Sequence, residues 1–317
     1  GKISLDGTKV KANASKHRAL SWGYACKIEK QLQAEVEELM RLAKEADSTD
    51  IPDGMDIPEE LARRQDRLAA ITEAKVKIKQ RPNERYSREK EEYDGKVAAR
   101  KAKTKKSGKK PRGRKPKPPE SGPSNKDQVN LTDEESRIMP SSNGFTQAYN
   151  AQAAVDVDSM LIVTSHVSQS PNDKKEITST VEALQLLSEA SGDITTLLAD
   201  TGYFSEANVM TCTKAEIEPL IATGRQSHNQ PLKERFAQAE PLPVKAGPVD
   251  KMKHRLKTDS GRKLYAKRKS TVEPVFGIIK HVMRFRQFLL RGFEAVSGEW
   301  LLVSMAWNLK RMFALNR

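Results

Sequence analysis

The chain has 317 residues, of which 37% are hydrophobic and 31% charged, with a formal net charge of +14. That length supports one large core or two modest ones. No apolar run approaches the roughly 18 residues of a membrane-spanning helix, which excludes a helical membrane protein. Two cysteines, Cys26 and Cys212, are too few for a disulfide scaffold or a cysteine zinc site. The expectation is a reduced, soluble, intracellular protein.

The positive charge is concentrated. Lys96 to Lys117 holds 12 Lys and Arg and no acid, and Lys245 to Arg291 holds 14 against Asp250, Asp259 and Glu273. The rest of the chain is net acidic. Two basic blocks on an acidic protein point to a polyphosphate partner, because neutralising phosphates releases counterions.

In chain order, Lys2 to Val10 predicts a strand, with Ile3 and Leu5 alternating with polar residues before Asp6. Gly1 leads directly into it, so a preceding segment is expected upstream. Ile28, Leu32, Val36, Leu39 and Ala43 then fall at helical spacing. After a break at Ile51 to Ile57, Leu61, Leu68, Ile71, Ala74 and Ile78 recur at near-heptad spacing. This predicts an antiparallel helical hairpin ending at Pro82, with a third helix from Glu84 running into the basic block.

Ser107 to Asp127 is rich in Lys, Pro, Gly and Ser and has no aromatic residue, a composition that predicts disorder. Within it, Pro111-Arg112-Gly113-Arg114-Lys115-Pro116 resembles the AT-hook, whose Arg-Gly-Arg core lies in the minor groove. Arg112, Arg114 and Lys115 are therefore candidate DNA-binding residues.

From Asn143 the texture becomes α/β. Phe145 to Val155 and Leu161 to Val167 predict a hairpin turning at Asp156 to Ser159. A helix capped at Asn172 or Asp173 carries Ile177, Val181, Leu184 and Leu187 and ends at Gly192. Ile194 to Ala199 is an apolar strand delivering Asp200, followed by a helix capped at Ser205 and a strand at Glu218 to Ala222. Gln226 to Gly247 reads as loop, Ser260 to Arg284 as a basic helix kinked at Pro274, and Trp300 to Phe313 as a closing helix. The fold class is α/β: a mixed sheet with flanking helices and a long helical insertion after the first strand. The expected divisions are 1–18 for the first strand, 19–94 for the insertion, 95–127 for a basic disordered linker and 128–317 for the rest of the core.

Asp6 and Asp200 stand at strand ends, and Glu273 is the only acid between Gly261 and Phe293. Singly, each reads as a turn residue or an ion-pair partner. Together they offer hard oxygen ligands from separate elements, as Mg²⁺ or Mn²⁺ requires. Two such ions, with basic residues holding phosphates, would suit phosphoryl transfer.

The runs Leu5 to Ser15, Tyr149 to Asp156, Ala199 to Phe204 and Val272 to Gly277 resemble bacterial insertion-sequence transposases of the DDE class. The resemblance implies a ribonuclease-H-like core with Asp6, Asp200 and Glu273 as the catalytic, metal-holding triad. It also implies two Mg²⁺ or Mn²⁺ ions, strand cleavage and transfer of a 3′-OH, double-stranded DNA (element ends and target) as partner, and a homodimer on DNA. It further implies a cytoplasmic, nucleoid-associated protein without the helical domain that relatives carry at their N-termini. The family's Tyr, basic residue and Lys around its Glu match Tyr265, Lys269 and Lys280 by spacing, and His281 adjoins Lys280. Two rival readings remain, a non-catalytic DNA-binding protein derived from a decayed transposase and a structural coiled coil with a basic tail. Metal-dependent nicking separates the first from an enzyme, and limited proteolysis separates the second.

Overall fold

The computed structural model describes residues 1–45, 56–107, 115–141, 144–224, 241–242 and 246–316. It resolves into two compact units. One comprises Gly1–Lys16 with Thr132–Arg317, and the other comprises His17–Leu131.

The first unit is built on a six-stranded mixed sheet. Its strands are β1 (Lys2–Lys11), β4 (Arg137–Ser141), β5 (Gly144–Asp156), β6 (Ile162–Ser168), β7 (Thr196–Ala199) and β8 (Glu218–Ile221). β5 pairs antiparallel with β1 along one side and with β4 and then β6 along the other. β1 pairs parallel with β7, and β7 parallel with β8. β5 is buried on both faces, as a central strand must be, and alternation divides its residues between two cores. Tyr149, Ala151, Ala153 and Val155 face one cluster, with Val272, Val275 and Phe276 of α6 (Asp259–His281) and Trp300 of α7 (Phe293–Leu315). Ala154 joins Ile3, Leu5, Leu197 and Ala199 against α3 (Glu176–Ser191), α4 (Glu206–Lys214) and α5 (Pro248–Lys257) on the opposite face.

The expected strands, and the helices capped near Asn172 and at Ser205, are present. Asn172 caps a short 3₁₀ turn, Asp173–Lys175, that leads into α3. Three elements differ from expectation. β4 was not foreseen, because Arg-Ile-Met-Pro-Ser lacks alternation and Pro140 looks like a breaker; an outer strand tolerates it. α5 follows directly on the stretch expected to be loop, in a segment given no element from sequence; Pro248 starts its first turn and buried Met252 anchors it. α7 starts at Phe293, one and a half turns or more before Trp300, with Val296 already buried. Most of the remaining polar stretch from 226 to 247 lies outside the described residues.

The second unit is a helical hairpin closed by a two-stranded ribbon. β2 (Ala19–Ser21) and β3 (Gln128–Asn130) pair antiparallel, a closure that three-residue strands do not announce in sequence. Between them run α1 (Trp22–Glu45) and α2 (Ile57–Ser107). The ion pairs Glu29–Lys75 and Glu35–Arg64 order the helices antiparallel, as expected. Leu32, Ile71, Ala74 and Ile78 form the seam.

α2 does not stop at Pro82. Proline forfeits one helical hydrogen bond and crowds the preceding turn, but the helix is anchored on both sides of it. Ile78 is buried in the seam, and Arg85 pairs with Asp127 at 3.1 Å. Accordingly no third helix begins at Glu84, and residues 95–107, assigned above to a disordered linker, are the last turns of α2. Of the AT-hook-like run, Arg112 and Arg114 lie outside the described residues, and Lys115 is exposed.

Candidate functional site

The first two acids are brought together by strand register. In the parallel pair β1–β7, Ile3 stands opposite Leu197 and Ser4 opposite Leu198. Carried two residues further, the same register sets Asp6 beside Asp200, where β7 leaves the sheet. Alternation puts Ser4 and Asp6 on the face that packs against α6, and the Ser4 hydroxyl donates to the Arg268 carbonyl. Asp200 turns its carboxylate back to accept from the Gly202 amide at 2.7 Å, capping the turn Thr201–Tyr203. The turn role considered from sequence is therefore real, and it orients the carboxylate.

Glu273 reaches this place through an arginine. Arg268 is 8% exposed and pairs with Asp6 at 3.3 Å and Glu273 at 3.1 Å. Glu273 itself is half exposed. Its helix is fixed to β1 by Lys280, whose ammonium donates to the Thr8 hydroxyl and to the Lys9 carbonyl at 3.0 Å. Burial, then neighbouring Lys9, lowers the Lys280 pKa.

The electrostatics mark Asp6 as the strained member. Burial raises its pKa from 3.8 to about 6, against the Gly7 amide and Arg268, which lower it. The neighbouring Asp200 and Asp173 raise it further. Burial opposes charge on Arg268, yet Asp6, Tyr265, Glu273 and Asp200 together raise its pKa. Tyr265 lies among these groups, its own pKa raised by burial and by the two aspartates against the pull of Arg268.

Of the residues named from sequence, Asp6, Asp200, Glu273, Tyr265 and Lys280 converge on this corner of the sheet. Lys269 does not: it is exposed, and its neighbour Arg268 occupies the place between the carboxylates. The signal was available in the helix pattern. Arg268, Val272, Val275, Phe276 and Ile279 share the buried face of α6, which leaves Lys269 outside it. His281 is exposed and contacts Arg286 at 2.9 Å.

A further acid was not foreseen. Asp173 Oδ1 accepts from Asn150 at 2.6 Å, from Gln152 at 2.9 Å and from Lys9 at 3.3 Å. The Gln152 amide oxygen in turn accepts from the buried Tyr203 hydroxyl. The clue was Asn150 and Gln152, two polar residues on one face of a fully buried strand, which must find partners.

Asp6 and Asp200 supply hard oxygens of the kind Mg²⁺ or Mn²⁺ takes, and a desolvated carboxylate with a raised pKa is one that a cation would relieve. Among the described residues no group of three or more His, Cys, Asp and Glu side chains is assembled to hold a metal. Glu273 is held by Arg268 instead. The donor chemistry therefore fits a divalent ion at the two aspartates, while Glu273 is paired with Arg268.

A mixed α/β sheet holds Asp6 midway along β1 and Asp200 just past the end of β7, with Glu273 on the helix that packs against the same face. Asp6 therefore lies inside its strand and not at the strand end expected from sequence, because pairing with β5 carries β1 on to Lys11. Residues 109–309 match the family described as the transposase DDE domain, more than half of the chain, and the protein belongs to that family. Asp200 and Glu273 fall within the matched span, whereas Asp6 precedes it and reaches the site through β1 pairing. Comparison with curated proteins and with solved structures gave no match. Among the described residues no helix is long and apolar enough to cross a membrane.

Proposed function

We propose that this protein is a DDE transposase whose nuclease centre is Asp6, Asp200 and Glu273, acting on double-stranded DNA. The observation that carries the proposal is the register of β1 against β7, which sets two aspartates side by side beneath an arginine that also holds the glutamate. The strand order β6-β5-β1-β7-β8, antiparallel on one side of β1 and parallel on the other, supports a ribonuclease-H-like reading of the core.

In this reading Asp6 and Asp200 hold the cation from the sheet, and Glu273 completes the set from α6. When bound, Mg²⁺ or Mn²⁺, as a pair of ions, supplies Lewis-acid chemistry for in-line phosphoryl transfer. Arg268 exchanges its carboxylate partners for a DNA phosphate, which frees Glu273 and keeps the guanidinium paired. Tyr265 lies beside Arg268 and the two aspartates, Lys280 is bonded to β1 further along α6, and the exposed His281 follows it. The basic end of α2 adds phosphate contacts. Hydrolysis of a strand at the element end leaves a 3′-OH, which then attacks target DNA. No bond between protein and DNA forms. Pairing of two copies on DNA would bring two ends together.

The test is nicking of supercoiled plasmid by the wild-type chain and Asp200→Asn, with Mn²⁺ or Mg²⁺ and with EDTA. The expected result is metal-dependent nicking that falls at least about 10³-fold in the variant while plasmid binding persists, as loss of transition-state stabilisation requires. Nicking retained by Asp200→Asn would overturn the assignment.

A further inference from the structure

We propose that Asp173 is a positioning residue of the acidic centre, holding the Asp6 and Asp200 segments from the opposite face of the sheet through the amides of Asn150 and Gln152. The inference rests on the nuclease reading above and adds a residue to it.

Gly7 directly follows Asp6 on β1. A Cβ on Gly7 would stand 2.1 Å from Gln152 Nε2, 2.8 Å from Asp173 Oδ1 and 2.9 Å from Asn150 Oδ1. The space is filled by three polar groups, and only glycine admits them. Asp173 Oδ1 is their common acceptor, taking both amides and the Lys9 ammonium. The link to β1 therefore runs through the packed cluster at Gly7 and through Lys9 two residues on.

The link to Asp200 runs through the same carboxylate. Gln152 donates to Asp173 with its nitrogen and accepts from Tyr203 with its oxygen. Tyr203 is fully buried and closes the turn that Asp200 caps. On the near side, a Cβ on Gly202 would stand 2.9 Å from Asp200 Oδ1 and 3.7 Å from Asp173 Oδ2. Asp173 is thus tied to the Asp200 turn by Oδ1 through Gln152 and Tyr203, with Oδ2 lying beside Gly202.

One atom of the cluster lacks a partner. Asn150 is fully buried, its nitrogen donates to Asp173 and to the Ser170 carbonyl, and its Oδ1 accepts from nothing among the described residues. A buried amide oxygen left unpaired costs stability. Folding tolerates it here because the other Asn150 bonds hold the amide against Gly7. Residues that orient ligands from behind in this way change metal affinity or rate by about 10- to 100-fold when removed.

The experiment compares wild type, Asp173→Ala and Asp173→Asn in plasmid nicking and in calorimetric titration with Mn²⁺ alone, after melting curves and plasmid binding establish that each variant folds. For Asp173→Ala the expected result is a kcat for nicking reduced about 10- to 100-fold, Mn²⁺ binding weakened several-fold and plasmid KM unchanged. Asp173→Asn keeps an oxygen for the two amides and should recover most of both losses. If Asp173→Ala fails to fold, Asp173→Asn decides alone: near-wild-type rate and Mn²⁺ affinity support positioning. Wild-type behaviour of Asp173→Ala, or Asp173→Asn as impaired as Asp173→Ala, would overturn the proposal; the second result would make Asp173 a direct ligand. Failure of the nuclease reading shows differently, as no metal-dependent nicking by the wild type.

Discussion

In the sheet-based unit, Ile3, Leu5, Tyr149, Leu197, Leu198 and Trp300 are wholly removed from solvent, on strands whose neighbours fix their register. In the hairpin unit the apolar cluster is smaller, built on Leu32, Ile71, Ala74 and Ile78, and is flanked by charge pairs such as Lys75 with Glu29 at 2.6 Å and Arg85 with Asp127 at 3.1 Å. The first unit is specified by burial, the second by a thin seam and many individually weak ion pairs. The difference has an electrostatic counterpart. Burial is the largest cause of the raised Asp6 pKa, and Asp6 owes that burial to its place on β1, an inner strand paired on both sides.

The comparison can be broken most strongly at Trp300. Its ring packs on Phe276 and Phe285, at 6.3 and 6.2 Å between centroids, and its indole N–H donates to the Gln152 carbonyl at 3.0 Å. Trp300→Ala should cost about 3–5 kcal/mol in urea unfolding followed by tryptophan fluorescence and circular dichroism. A loss below about 1 kcal/mol would mean that burial does not specify this unit.

A smaller effect of opposite sign is expected at Asp6. Its folded pKa is raised, so the ionised form is disfavoured in the native state even with Arg268 counted. Metal-free protein should gain stability as pH falls from about 7 towards 4, the interval between the folded and unfolded pKa values. Asp6→Asn should remove that dependence. Near pH 7.5 it should stabilise the metal-free chain by about 1–3 kcal/mol, and below about pH 4 by nothing. Thermal melts of both proteins across that range, in EDTA, check the sign.

The smallest effect belongs to the hairpin. Lys75 pairs with Glu29 and lies over the Trp22 ring at 5.1 Å. Lys75→Ala should destabilise by about 0.5–1 kcal/mol at low salt, and the difference should shrink near 1 M salt as the pair is screened. A salt-independent loss would point to packing rather than charge.

The legible part of the fold was the part with strong periodicity. β1, β5, β7 and the α1–α2 pair follow from alternation or helical spacing, and Asp200 stood out because the strand before it did; the place of Asp6 inside β1 was not legible, since it is pairing with β5 that carries the strand on to Lys11. β2, β3 and β4 were not legible, since three to five residues carry too little pattern and their reason for existing is a partner far away in sequence. Pro82 misled because local chemistry was read without the anchors on either side of it. In the site, Arg268 was missed by following spacing relative to Glu273 rather than the buried face of α6. Asp173 was missed because it reads as an ordinary helix-start acid. Its partners, Asn150 and Gln152, carry the signal only once β5 is known to be buried on both sides.

The central claim is that residues from β1, from the end of β7 and from α6 form one cation-binding centre. Iron-directed cleavage tests it most directly: Fe²⁺ replaces Mg²⁺, ascorbate and peroxide generate hydroxyl radicals at the bound ion, and the cut sites in the protein backbone are mapped by mass spectrometry. The account predicts cuts grouped near Asp6, Asp200 and Glu273, competed by Mg²⁺ and lost in Asp200→Asn. Cuts confined to other segments, or an unchanged pattern in Asp200→Asn, would contradict it.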